Sequence, residues 1–81
     1  MALTLYGRPG CGLCDTARDH LERMQAEGMP ISIREVNIDE DPDLHRRYLE
    51  RVPVVELDEE IISELRLDPD ALRARLDTVS Q

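Results

Sequence analysis

Apolar and polar positions alternate through residues 2–6, ALTLY, with Leu3 and Leu5 on one face and Thr4 and Tyr6 on the other, until Gly7 and the Pro9-Gly10 pair break the run. That pattern predicts a short strand followed by a loop. From Gly12 to about Glu27 the period changes: Leu13, Ala17, Leu21 and Met24 recur at steps of four, four and three, one face of a helix that Gly28 closes. Residues 31–38, ISIREVNI, are rich in β-branched side chains and lie between Pro30 and an acidic turn at 39–41. They predict a second strand. Their alternation slips a phase between Ile33 and Val36, so either both faces are covered or a bulge intervenes.

Two later segments open alike, with Asp41-Pro42-Asp43 and Asp68-Pro69-Asp70. In each, the first Asp caps free backbone N–H groups, Pro suits the first helical position and the second Asp favours the positive helix end. The first of these helices is expected to run to about Glu50 with Leu44, Tyr48 and Leu49 inward; the second carries Leu72, Leu76 and Val79. Between them VPVVEL (52–57) and EIIS (60–63), separated by Asp58-Glu59, predict a tight antiparallel hairpin. The order is β-α-β-α-β-β-α in a single domain over residues 1–81, without linker or repeat. Right-handed crossovers predict an α/β fold with the first three strands mutually parallel, helices on both faces and the last strand antiparallel at an edge.

Composition narrows the function classes. An 81-residue chain buries only about 60–65% of the surface its unfolded form exposes. With no Phe or Trp, and tyrosine only at Tyr6 and Tyr48, the core must be built from Leu, Ile, Val, Ala and Met. All ten basic residues are scattered arginines and the net charge is −8, which excludes a nucleic-acid backbone as partner and predicts a soluble, self-repelling surface. No apolar run approaches the roughly 20 residues of a membrane span. The start, MALTLYGRPG, has no basic stretch ahead of its apolar residues and reads as a strand rather than a leader, so the expected compartment is the cytoplasm, where a CxxC pair is catalytic or metal-binding more often than structural.

The pair in question is Cys11 and Cys14, in GCGLC at the head of the first helix. Unpaired N–H groups and the helix dipole there stabilise a thiolate at Cys11, and Arg8 adds positive charge. Cys14, one turn further in, lies within closing distance and is more buried. The expected division of labour is attack by Cys11 on a disulfide and release of the reduced substrate by Cys14. Gly12 leaves room for a partner, and Leu13 either belongs to an apolar contact surface or is simply packed. A zinc site takes four ligands and the pair supplies two, while His20 and His45 lie mid-helix without ligand spacing, so no metal and no cofactor is expected. Val52-Pro53 opens the third strand, where a missing N–H is tolerated, and the residues alone leave that bond trans.

The early strand, GCGLC at a helix start and VPVV after the second helix together resemble the thioredoxin fold and, within it, small glutaredoxin-like proteins with a G-C-x-L-C motif. The resemblance covers essentially all 81 residues. It implies a thioredoxin-like, four-stranded mixed sheet flanked by three helices, a cis Val52-Pro53 facing the cysteines, and pairing of the Val52 backbone with a bound thiol substrate. The chain departs from glutaredoxins in having Gly12-Leu13 in place of Pro and an aromatic, Arg51 in place of Thr, and SELRLDPDAL without the Gly-Gly turn that grips glutathione. Arg8 and Arg51 remain candidates to meet a carboxylate. The expected protein is a monomeric thiol-disulfide oxidoreductase acting on a disulfide-containing protein or on glutathione as co-substrate, with glutathione or a thioredoxin-reductase-type protein as electron donor. The alternatives are a binding module holding an iron–sulfur cluster or other metal through Cys11, and an interaction domain docking through its acidic face at Asp58, Glu59 and Glu60.

Overall fold

The computed structural model describes residues 2–66 and 69–80, with the side chains of 69 and 76–80 outside that description. The expected cap at Asp68 and the inward positions Leu76 and Val79 therefore lie outside the described residues. The elements are β1 (Ala2–Gly7), α1 (Gly12–Ala26), β2 (Ser32–Asn37), a 3-10 turn (Ile38–Glu40), α2 (Pro42–Tyr48), β3 (Val54–Leu57), β4 (Glu60–Glu64) and α3 (Pro69–Ser80). They follow the predicted order, and the four strands form one mixed sheet in the order β2-β1-β3-β4.

The direction of β3 corrects the sequence expectation. β1 and β2 are parallel, whereas β3 runs antiparallel to β1, and β4 antiparallel to β3. The reason is length. The chain leaves β2 at Asn37, beside Gly7, and re-enters the sheet at Val54, beside Tyr6, at the same end. α2 has seven residues and spans only about 10 Å. A parallel crossover would first have to return along a six-residue strand of roughly 20 Å. The phase slip in ISIREVNI is likewise not a bulge: β2 pairs with β1 without interruption, and both Ile33 and Val36 are half-buried on opposite faces of an edge strand. The irregularity sits instead between Val55 and Glu56, where β3 meets β4.

Alternation along the strands builds a core on each side of the sheet. Leu3, Leu5, Val55 and Leu57 meet Ala17, Leu21 and Met24 of α1 and Leu72 of α3 on one side. Tyr6, Val54 and Val52 meet Tyr48 and Leu44 of α2 on the other, together with the cysteines. α1 ends as Gly28 predicts: Gly28 takes a φ of +101°, its N–H donates to the Gln25 carbonyl, and the Met29 N–H donates to that of Met24. This turn folds Met29 onto the core that Met24 enters. Asp41 caps α2, its carboxylate accepting from the N–H groups of Asp43 at 2.9 Å and Leu44 at 3.3 Å, with Pro42 in the first turn. α2 stops at Tyr48, short of Glu50; Leu49 keeps a helical backbone, its N–H donating to the His45 carbonyl at 3.0 Å, but it lies off the face that Leu44 and Tyr48 share and is 39% exposed rather than inward.

The hairpin turn is made by Asp58 and Glu59, whose φ angles are +51° and +68°. A two-residue turn with both central residues in this region suits strand twist but favours Asn-Gly. Asp58→Asn combined with Glu59→Gly is therefore expected to stabilise the protein by about 1 kcal/mol, read as a rise of roughly 4–8 °C in Tm. No rise would mean that the turn relaxes in solution.

Candidate redox site

Loop 8–10 carries the chain from the end of β1 to the start of α1, with Gly10 at a φ of +76° turning it toward the helix. Cys11 is the N-cap residue of α1: its carbonyl accepts from the Asp15 N–H at 3.1 Å, and its Sγ accepts from the Cys14 N–H at 3.2 Å. That second bond places the sulfur where the first-turn amides and the helix dipole converge. Cys11 and Cys14 form a disulfide with Cα atoms 5.2 Å apart. The two are unequal: Cys14 is 7% exposed and packs in the α2-side core, while Cys11 is half-buried against it.

Gly7 is a site residue that periodicity reveals only as a strand breaker. A Cβ there would lie 3.2 Å from both the Cβ and the Sγ of Cys14. The glycine thus lets the end of β1 approach the buried sulfur, a contact that becomes visible only when β1 and α1 are packed together.

The opposite wall comes from the segment after α2. Both the Arg51 and the Val52 N–H groups donate to the Tyr48 carbonyl, at 2.8 and 3.0 Å, which ties the turn to the helix end. Val52-Pro53 is cis, as the resemblance implies and the residues alone do not. Val52 is buried in the same cluster as Cys14, with Cys11 packed against it. Beneath them lie the chain's two aromatics, Tyr6 and Tyr48, with ring centroids 5.0 Å apart. Burial, and after it the negative charge of Glu56, push the Tyr6 phenol above its ordinary pKa; its hydroxyl donates to Glu56 at 3.5 Å. Their joint position under the cysteines follows from the packing of α2 on the Tyr6 and Val54 face of the sheet and has no local sequence signal.

The remaining candidates surround this centre. The Arg8 guanidinium lies on Asp39, with Nε 3.1 Å from Oδ1, and His45 Nε2 is 3.5 Å from the same oxygen. Arg51 reaches Glu64 at 3.7 Å, and its carbonyl accepts from the Leu65 N–H at 2.9 Å. Gly12 is exposed, with open space where a Cβ would stand, and Leu13 is 45% exposed.

A cysteine pair at the N-terminus of α1, a cis proline before β3 and this sheet order define a thioredoxin-fold protein carrying a vicinal cysteine site. Thioredoxin 1 of Thermosipho africanus has the same fold, with a TM-score of 0.65 and 17% identity over 100% of both chains. The chain belongs to the family described as glutaredoxin-like domain (DUF836), which matches residues 2–77. It is 31% identical to a glutaredoxin-like protein, the YDR286C homolog of Dictyostelium discoideum, over 95% of this chain and 76% of that one. The structural-genomics target protein XcR50 of X. campestris superposes with a TM-score of 0.74 at 38% identity, covering 94% of this chain and 96% of its own. Among the described residues no helix is long and apolar enough to cross a membrane.

Proposed function

We propose that this protein is a dithiol thiol-disulfide oxidoreductase in which Cys11 is the nucleophile and Cys14 the resolving thiol. The observation that carries the reading is the Cys11 sulfur at the helix N-cap, accepting the Cys14 N–H and already joined to Cys14. In the reduced protein the Cys11 thiolate attacks a substrate disulfide, forming a mixed disulfide and expelling one substrate thiol. Cys14 then loses its proton and attacks Cys11, which releases the second substrate thiol and leaves the Cys11–Cys14 disulfide. Two electrons and two protons pass from protein to substrate. Val52 and Pro53 form the wall along which the substrate backbone lies, and Gly12 leaves the approach to Cys11 open.

No cofactor enters these steps, and the protein acts as a cytoplasmic monomer. Glutathione or a thioredoxin-reductase-type protein returns the electrons. Arg8 and Arg51 already face Asp39 and Glu64, which weakens their pull on a glutathione carboxylate and favours the reductase. Comparing the two donors on the oxidised protein decides between them.

The reading has a direct test. Alkylation of the reduced protein at Cys11, followed against pH, is expected to show a midpoint clearly below the free-thiol value of about 8.5. Above that midpoint the rate is flat; below it the rate falls as the thiolate is protonated. A midpoint at or above 8.5, with no disulfide reduction, would overturn the proposal.

A further inference from the structure

We propose that a groove beside Cys11 selects protein disulfides whose cysteine is flanked by an apolar residue and a carboxylate, Leu13 meeting the first and Arg66 pairing with the second; this rests on the oxidoreductase reading above. The groove, of about 250 Å³, is lined by Leu13, Thr16, Ala17, His20 and Arg66. Its first lining residue, Leu13, is two residues after Cys11 in the first turn of α1, so a segment whose disulfide is at Cys11 has the groove within reach. The lining includes one guanidinium and no carboxylate, unlike most of this surface, where the net charge is −8. Arg66 makes no ion pair with a carboxylate among the described residues, in contrast to Arg8, Arg18, Arg46, Arg51, Arg73 and Arg75.

The chain holds Arg66 there through a strained turn. The Arg66 N–H donates to the Glu64 carbonyl at 2.6 Å around Leu65, whose φ is +66°. A γ-turn with positive φ is the rarer form, and a bulky residue in it is an outlier that costs stability. The Leu65 side chain gains little burial in return, being 51% exposed. Its N–H binds the Arg51 carbonyl, one residue before Val52, so the turn is fixed to the substrate wall. An exposed leucine, Leu13, and a guanidinium, Arg66, lining one groove suit an apolar residue next to a carboxylate. The overall charge repels acidic chains at long range, so the preference arises at contact distance, inside the roughly 8 Å screening length of physiological salt.

The substrate exchange is the one written above: the protein dithiol is oxidised to the Cys11–Cys14 disulfide while the peptide disulfide is reduced to two thiols. The test uses the reduced full-length protein in single-turnover oxidation by two disulfide-linked peptides, identical except for Leu-Glu or Leu-Lys beside the cysteine. Bis(2-hydroxyethyl) disulfide serves as a third oxidant. Wild type is expected to react roughly fivefold faster with the Glu peptide, the scale of an exposed charge pair gained against one repelled. Arg66→Glu is expected to reverse the order, and Leu13→Ser to slow both peptides while keeping their ratio. Equal rates for the two peptides in wild type, or a ratio unmoved by Arg66→Glu, overturn the inference. If wild type is oxidised by bis(2-hydroxyethyl) disulfide yet shows no peptide preference, the inference alone fails. If none of the three oxidants reacts, the oxidoreductase reading fails with it.

Discussion

Cys11→Ser is expected to lower disulfide reduction by more than about a thousandfold, the scale of losing a nucleophile, while leaving the fold in place. A serine hydroxyl is not ionised near neutral pH and does not attack a disulfide. It is, however, a good N-cap acceptor, so the bond that Cys11 Sγ takes from the Cys14 N–H at 3.2 Å has a substitute. The loss is therefore chemical rather than structural, and unchanged far-ultraviolet circular dichroism would confirm that. Cys14→Ser is expected to behave differently. Cys11 still attacks, but nothing resolves the product, so a stable mixed disulfide accumulates and is seen as an added substrate mass. If Cys14→Ser abolishes attack and Cys11→Ser traps the adduct, the roles are reversed. The unequal exposure of the two sulfurs, with Cys14 buried and Cys11 half-buried, argues for the order given.

Leu21→Ala is expected to destabilise the oxidised protein by roughly 3 kcal/mol. Leu21 is fully buried in the middle of α1, among Leu3, Leu5, Ala17, Met24, Val55, Leu57 and Leu72. With no Phe or Trp in the chain, no larger side chain is available to fill the space. An 81-residue domain holds a total stability of roughly 4–12 kcal/mol, so the loss is a large fraction of the whole. It corresponds to a fall in Tm of roughly 12–24 °C, measurable by thermal melting without reductant. A fall below about 5 °C would mean that α1 does not pack on the sheet as described. Because the same helix presents Cys11 at its first turn, thermal loss of activity should track unfolding of this core.

Much of the site was legible before any tertiary contact was known. Cys11 at a helix start follows from the change of period at Gly12, and the close of α1 follows from Gly28. Asp41-Pro42-Asp43 marks the start of α2, and the hairpin lies where Asp58-Glu59 interrupts two apolar runs. All of these depend on residues within a turn or two of one another. Leu49 is exposed because it stands one residue past the Leu44–Tyr48 stripe of a chain that is still helical there, a rotation of about 100° onto the neighbouring face. The partner of Arg8, whose guanidinium lies on Asp39, 31 residues away, is a pairing that no local pattern encodes.

The sequence by itself determined the element order, the helix caps and the position of a cysteine pair at a helix N-terminus, because periodicity and capping are short-range effects of side-chain shape and backbone hydrogen bonding. Only the tertiary structure decided that β3 runs antiparallel to β1, since strand direction depends on how far α2 reaches across the sheet. It also decided that Gly7 abuts the Cys14 sulfur and that Tyr6, Tyr48 and Val52 gather around the pair. Those contacts join residues far apart in the chain, and close packing in the interior, rather than any local preference, selects them.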